Sequence, residues 1–282
     1  MTEQNVNRSE NVVQVAGNVE INNRYGLAVH EVKELAQIFM RENFPVLREE
    51  AIAAAQVNVQ QFLGEFENKL AQSIGRIDPN KFKDPDVQSS LNDAVLETAK
   101  KGNRSNSDLL AELVIERLNS ASSDYVSLVV SEAIKVVPRL TPEQIGFLTL
   151  ALFMTSTKIT SAKSLNDLQP LAAAVLLASQ NSFGISESQK SHLSYTGCAT
   201  MLQFMSNSAY SIWKANYDFL KDIGDEELKK TIEKDIPVLH ALAKAFDDNH
   251  LGQITLTSVG KVIGLANLAK HVQGLEYKNW LS

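Results

Sequence analysis

The sequence predicts an all-α fold, a multi-helix body behind one short N-terminal β-prone segment. Three observations predict it. From Val29 onward, apolar residues recur at three- and four-residue spacing, the period of a helix with one buried face. Helix starts recur as Ser, Thr or Asp followed by Pro, Glu or Gln at capping positions. Strand-like alternation is clearest in one place, Val12–Ile21, which reads Val-Val-Gln-Val-Ala-Gly-Asn-Val-Glu-Ile.

Residues 1–11 are polar and rich in Asn and Glu, a composition that buries little. In Val12–Ile21 the β-formers are Val13, Val15, Val19 and Ile21, set around Ala16-Gly17-Asn18. Asn22-Asn23 and Gly26 end the segment. The first helical stripe is Val29, Val32, Leu35, Ala36 and Phe39, interrupted at Asn43-Phe44-Pro45, because a residue before proline disfavours helix. A longer helix is expected over Val46–Ile74, with Gly75 as its stop. The pair is read as an ordinary αα-hairpin, with the stem of an assembly as the alternative.

Asp84 caps a helix that opens on Pro85 and closes near Lys100-Lys101-Gly102. Ser105 or Ser107 is the expected cap of the next, and Ser123-Asp124 opens one that ends at Pro138. Thr141-Pro142-Glu143-Gln144 is the clearest start, and the helix behind it, Ile145 to Ile159, is apolar nearly all round, as a central core helix would be. Ser164 to Asp167 starts another. Ser186 to Gln189 starts a helix expected to run over Glu187–Met205. Helix is also expected over Glu226–Phe246 and Ser258–His271, with Asp247-Asp248-Asn249 as a loop and Ile254 to Thr257 leading into the final element. Gly260 and Gly264 read as close packing of that last helix on a neighbour. Gly184 is the best internal boundary, which divides the chain into an interaction segment (1–25), a helical domain (26–184) and a C-terminal helical subdomain (185–282) packed on the first.

The 282 residues suffice for a sizeable core. A net charge of −6 lacks the basic footprint that nucleic-acid binding needs, so no nucleic acid is expected as a partner. No run approaches the roughly 18 apolar residues of a membrane span, and the N-terminus has no apolar signal core. The single cysteine, Cys198, excludes an internal disulfide and fits a reducing compartment, so a cytoplasmic protein is expected.

Candidates for chemistry are few. No phosphate-binding glycine loop and no nucleophile elbow are present. The five histidines are scattered, and none stands at metal-ligand spacing. Cys198 and His192, six residues apart on one expected helix, fall on different faces. Asp78, Asp84 and Asp86 lack the calcium-loop glycine and terminal glutamate, so capping accounts for them better. Glu49-Glu50, Asp225-Glu226-Glu227 and Asp247-Asp248 read as solvated surface, and Lys100, Lys101 and Arg104 as a basic surface loop. Tyr210, Trp213 and Tyr217 stand at helical spacing and read as core rather than interface. No catalytic residue, cofactor or metal is assigned.

Several ordered motifs carry a resemblance. They are Glu31-Val-Lys-Glu34, Asn43-Phe44-Pro45, Phe82-Lys-Asp-Pro-Asp-Val-Gln88, Asp108-Leu-Leu-Ala-Glu-Leu113, Leu140-Thr-Pro-Glu-Gln144, Tyr195-Thr-Gly-Cys198 and Leu256-Thr-Ser-Val-Gly260. Together they resemble a widespread, uncharacterised family of bacterial proteins, which implies no active site to carry over. Val13-Gln14-Val15-Ala16-Gly17-Asn18 is similar to the Val/Ile-Gln-Val/Ile-Gly core of amyloid-type homotypic interaction motifs, related segments of which occur on bacterial immunity and programmed-death proteins. Here Ala16 stands between Val15 and Gly17. The resemblance implies recruitment by strand stacking.

The expected function is therefore a non-enzymatic protein that self-associates through Val13, Gln14, Val15, Gly17, Asn18, Val19 and Ile21, because an unpaired strand edge is a template for another chain. The expected role is a sensor or effector in antiviral defence or programmed cell death. The expected partners are a second copy or another protein with a similar N-terminal segment. One alternative is an enzyme with an all-α site, sought between the Ile145 helix and the Tyr195 region. The other is a membrane-disrupting effector that meets the membrane only after activation. A plain hairpin folded on the body is the alternative geometry for residues 12–21.

Overall fold

A computed structural model describes residues 29–44, 48–119, 122–202 and 207–281. The expected self-association segment, Val12–Ile21, lies outside the described residues. Among these, the chain forms thirteen α-helices, short 3-10 turns and one two-stranded sheet, so the all-α expectation holds. The helices are α1 (Val29–Asn43), α2 (Glu49–Ser73), α3 (Pro85–Lys101), α4 (Ser107–Arg117), α5 (Asp124–Val136), α6 (Pro142–Ser156) and α7 (Gln169–Ser179). They continue with α8 (Glu187–Tyr195), α9 (Ala209–Asn216), α10 (Asp225–Asp235), α11 (Pro237–Asp248), α12 (Ser258–Leu268) and α13 (Lys278–Leu281).

Local chemistry explains most starts. The Asp84 carboxylate accepts the Asp86 amide at 2.9 Å in front of α3. Thr141 and Gln144 form the reciprocal capping box of α6, with bonds of 3.0 and 3.4 Å. Ser186 and Gln189 do the same for α8, and Ser164 and Asp167 for the 3-10 turn leading to α7. In front of α4 neither expected serine is the cap. Asn106 holds that position in a left-handed conformation, and its amide donates to the carbonyls of Val137 and Leu140 at 3.2 and 3.1 Å. Ser105 instead donates back to Gly102.

Four further expectations need correction. The helix expected over Glu187–Met205 ends at Tyr195, where Gly197 turns the chain at φ +75°. It is followed by β1 (Ala199–Met201), antiparallel to β2 (Ile254–Leu256), with Ala199 opposite Leu256 and Met201 opposite Ile254. The helix expected over Glu226–Phe246 is two helices, because Pro237 cannot donate to the turn before it and forces Ile236 out of helical geometry. Asp247 and Asp248 form the last turn of α11 rather than a loop. The 25-residue α2 ends at Ser73 and passes into a 3-10 turn before reaching Gly75.

One buried cluster runs from Val32 to Tyr277, on both sides of Gly184. Its centre is α6, buried from Gln144 to Met154, as expected of a helix apolar on every face. Helix α12 packs closely on α6 through Gly264 and on the loop between α8 and β1 through Gly260. A Cβ on Gly264 would stand 3.0 Å from the Leu148 carbonyl oxygen. A Cβ on Gly260 would overlap the Cys198 carbonyl oxygen. Between these apolar helices lies one polar knot. Asn267 donates to Thr149 Oγ1 at 2.9 Å and to the Ala178 carbonyl at 3.0 Å, which ties α12 to α6 and α7.

Candidate functional site

Helix α1 packs more closely on α3 than on α2. The consequence is a groove of about 920 Å³ between α1 and α2. Its floor is the buried face of α2, with Ala55, Val59 and Leu63. Met40, Phe44 and Ile52 line it while only partly buried. Gln37, Gln56 and Gln60 add side-chain amides, which both donate and accept hydrogen bonds. Lys33 and Arg41 add positive charge, and the Lys33 ammonium meets the Glu67 carboxylate at 2.9 Å across one end. An apolar floor with amide walls suits a peptide segment whose backbone must be hydrogen-bonded as it leaves water.

A second constellation lies where α2 ends against α4. Glu112 and Glu116 stand four residues apart on α4. Lys69 pairs with Glu112 at 2.8 Å. Glu116, 6% exposed, accepts from Ser122 Oγ at 2.7 Å and Asn119 Nδ2 at 3.1 Å. Burial pushes its carboxyl above the usual glutamate range, against those hydrogen bonds and the nearby charge of Arg76. Tyr277, 3% exposed, is also buried here, and its hydroxyl has no hydrogen-bond partner among the described residues. Burial, with the charges of Glu112 and Glu116, raises the Tyr277 phenol well above its ordinary value. Both groups are shielded from solvent, and burial disfavours the charged form of each. A scan for adjacent carboxylates passes over this cluster. The available signal is local: Glu116 follows the apolar run Leu113-Val114-Ile115 in α4.

The remaining candidates have structural occupations. Cys198 is buried beyond the end of α8, not on the same helix as His192. Its sulfur is met by the Thr196 hydroxyl at 3.5 Å. Burial raises the Cys198 thiol, only partly opposed by Thr196 and the charge of Arg139. His192 Nδ1 faces the Gln144 amide at 3.1 Å. That same amide donates to the Gln189 carbonyl at 2.8 Å, joining α6 to α8. Tyr195 is 77% exposed, with the Arg139 guanidinium 5.6 Å from its ring. Asp78 and Asp84 cap turns, and Asp86 pairs with Arg117. Lys100 and Lys101 both pair with Glu97. Burial opposes ionisation of Glu97, but the hydrogen bonds and charges of those two lysines hold it below its ordinary value. Trp213 and Tyr217 are core residues, and the Tyr217 hydroxyl accepts from the Ile159 amide at 3.1 Å. Among the described residues, no three His, Cys, Asp or Glu side chains are grouped to hold a metal ion, and no helix is long and apolar enough to cross a membrane.

Comparison with known proteins adds one match. A family model described as ":-like" matches residues 26–231 and, separately, residues 214–281. No curated protein and no solved structure matches the chain.

Proposed function

We propose, from the premise that the chain belongs to the family described as ":-like", that it is a cytoplasmic, non-enzymatic protein that assembles with copies of itself through residues 12–21. The observation that carries this reading is where the family match begins. It starts at residue 26, so the β-prone segment lies outside the helical body that the chain shares with its family. A body plus a separate interaction segment is the organisation of a recruitment protein. In this reading Val13, Gln14, Val15, Gly17, Asn18, Val19 and Ile21 stack between copies, and the backbone groups of each strand are satisfied by the next. The helical body is then held at high local concentration as a sensor or effector. The likeness of Val13–Asn18 to homotypic interaction motifs supports a setting in bacterial antiviral defence or programmed cell death, with another protein bearing a similar segment as a second partner.

Light scattering on the full chain and on a chain lacking residues 1–23 tests the proposal. Loss of the assembled mass on deletion supports it, and an assembly state unchanged by the deletion overturns it.

The second reading, an all-α enzyme, has one observation in its favour: Glu116 and Tyr277, two titratable groups buried in one cluster and both shifted upward by burial. Their enclosure favours a structural role. A full-chain Glu116→Gln variant that assembles normally but loses a turnover seen in the parent would reverse that preference.

A further inference from the structure

The α1–α2 groove has a natural occupant. It runs along α2 from Ile52 to Glu67, about 22 Å at 1.5 Å per residue. An extended Val12–Ile21 spans about 30 Å, so the groove holds about seven of its ten residues. The Lys33–Glu67 end is the end at which α1 begins, one turn after Val29. Residues 22–28 lie between, and seven residues reach at most about 25 Å, enough to turn back into the groove beside their own helix. Charge agrees as well: residues 12–21 carry Glu20 and no cation, whereas the groove carries Lys33 and Arg41 against Glu67.

We propose that the groove is the resting seat of residues 12–21 of the same chain, and that assembly begins when the segment leaves it. The apolar side chains of one strand face, Val13, Val15, Val19 and Ile21, follow the floor of Leu63, Val59 and Ala55 toward Met40, Phe44 and Ile52. The amides of Gln37, Gln56 and Gln60 bond the strand backbone in place of a neighbouring strand. The seat supplies the monomer with cover for an edge that would otherwise template other copies. This inference rests on the self-association reading and adds a control to it.

Disulfide trapping in the full chain at low concentration tests it, with native Cys198 retained because it is buried. The Val19→Cys/Gln60→Cys pair places one thiol on the segment and one in the groove. The Val19→Cys/Ala54→Cys pair places the second on an exposed position of α2 outside the groove. An intrachain disulfide favouring Gln60→Cys over Ala54→Cys is the expected result. Equal trapping at both, or none, overturns the inference, and an interchain disulfide at Gln60→Cys reassigns the groove to a second copy. A filled groove, Gln60→Trp, frees the segment, and assembly is expected at about tenfold lower protein concentration, since the competent fraction rises. Unchanged assembly in that variant also overturns the seat. If deletion of residues 1–23 lowers the mass while trapping fails, only the seat is lost. If deletion leaves the mass unchanged, the self-association reading is lost and the control with it.

Discussion

Gly260 of α12 lies so close to the carbonyl oxygen of Cys198 that a methyl group on residue 260 would overlap that oxygen. The contact joins the start of α12 to the loop between α8 and β1. The same carbonyl accepts the Thr257 amide at 3.0 Å, so the oxygen is not free to move aside.

Gly260→Ala is therefore expected to lose at least about 3 kcal/mol, the upper part of the range for overpacking a tight site. Gly264→Ala meets the Leu148 oxygen at 3.0 Å, a milder conflict expected to cost about 1 kcal/mol. Urea unfolding of both variants checks the order; equal losses would refute the geometry.

Glu116 gives a pH dependence with a definite sign. Its folded-state carboxyl is held above the ordinary value by burial, so the folded state binds the proton more tightly than the unfolded chain. Its contribution is thus most favourable below the ordinary glutamate range and declines as pH rises from there through the raised folded value. Glu116→Gln keeps an acceptor for Ser122 and Asn119 and has no proton to lose. The stability of the variant relative to the parent is expected to rise across that window. Thermal melts at a series of pH values test this, and a constant difference would rule it out.

Asn267 is the centre of the knot between α6, α7 and α12. Asn267→Ala removes its donors to the buried Thr149 hydroxyl and to the Ala178 carbonyl, an expected loss of about 1–3 kcal/mol. A loss of a few tenths by urea titration would show that the knot contributes little.

The Cys198 thiol is buried and its ionisation is opposed. Ellman's reagent is expected to leave it unmodified in the native protein and to react with one equivalent of thiol after denaturation. Fast native labelling would contradict the packing around β1.

What the sequence made legible was local. The capping boxes at Thr141 and Ser186, the Asp84-Pro85 start and the apolar circumference of α6 each depend on residues within a turn or two. The small sheet was not legible, because β1 and β2 meet across a long stretch of chain and each is three residues long, too short for alternation to register. The break at Pro237 carries a local signal that the amphipathic stripes on either side masked. The same division holds for the sites. The spacing of Cys198 and His192 separates their faces only on one continuous helix, whereas the two residues lie on different elements because Gly197 turns the chain between them. The Glu116–Tyr277 cluster joins residues far apart in sequence. The groove exists because α1 favours α3 over α2, which no periodicity in α1 records.

The ion pair across the end of the groove has a consequence of its own. Lys33 and Glu67 meet at 2.9 Å with side chains 52% and 32% exposed, and such a pair contributes less than about 1 kcal/mol in water. Dissolved salt screens it, while the apolar floor beneath is indifferent to salt or slightly strengthened by it. The two helices are thus joined at that end by a contact that weakens with ionic strength, while the packing along the rest of the groove keeps its strength in salt.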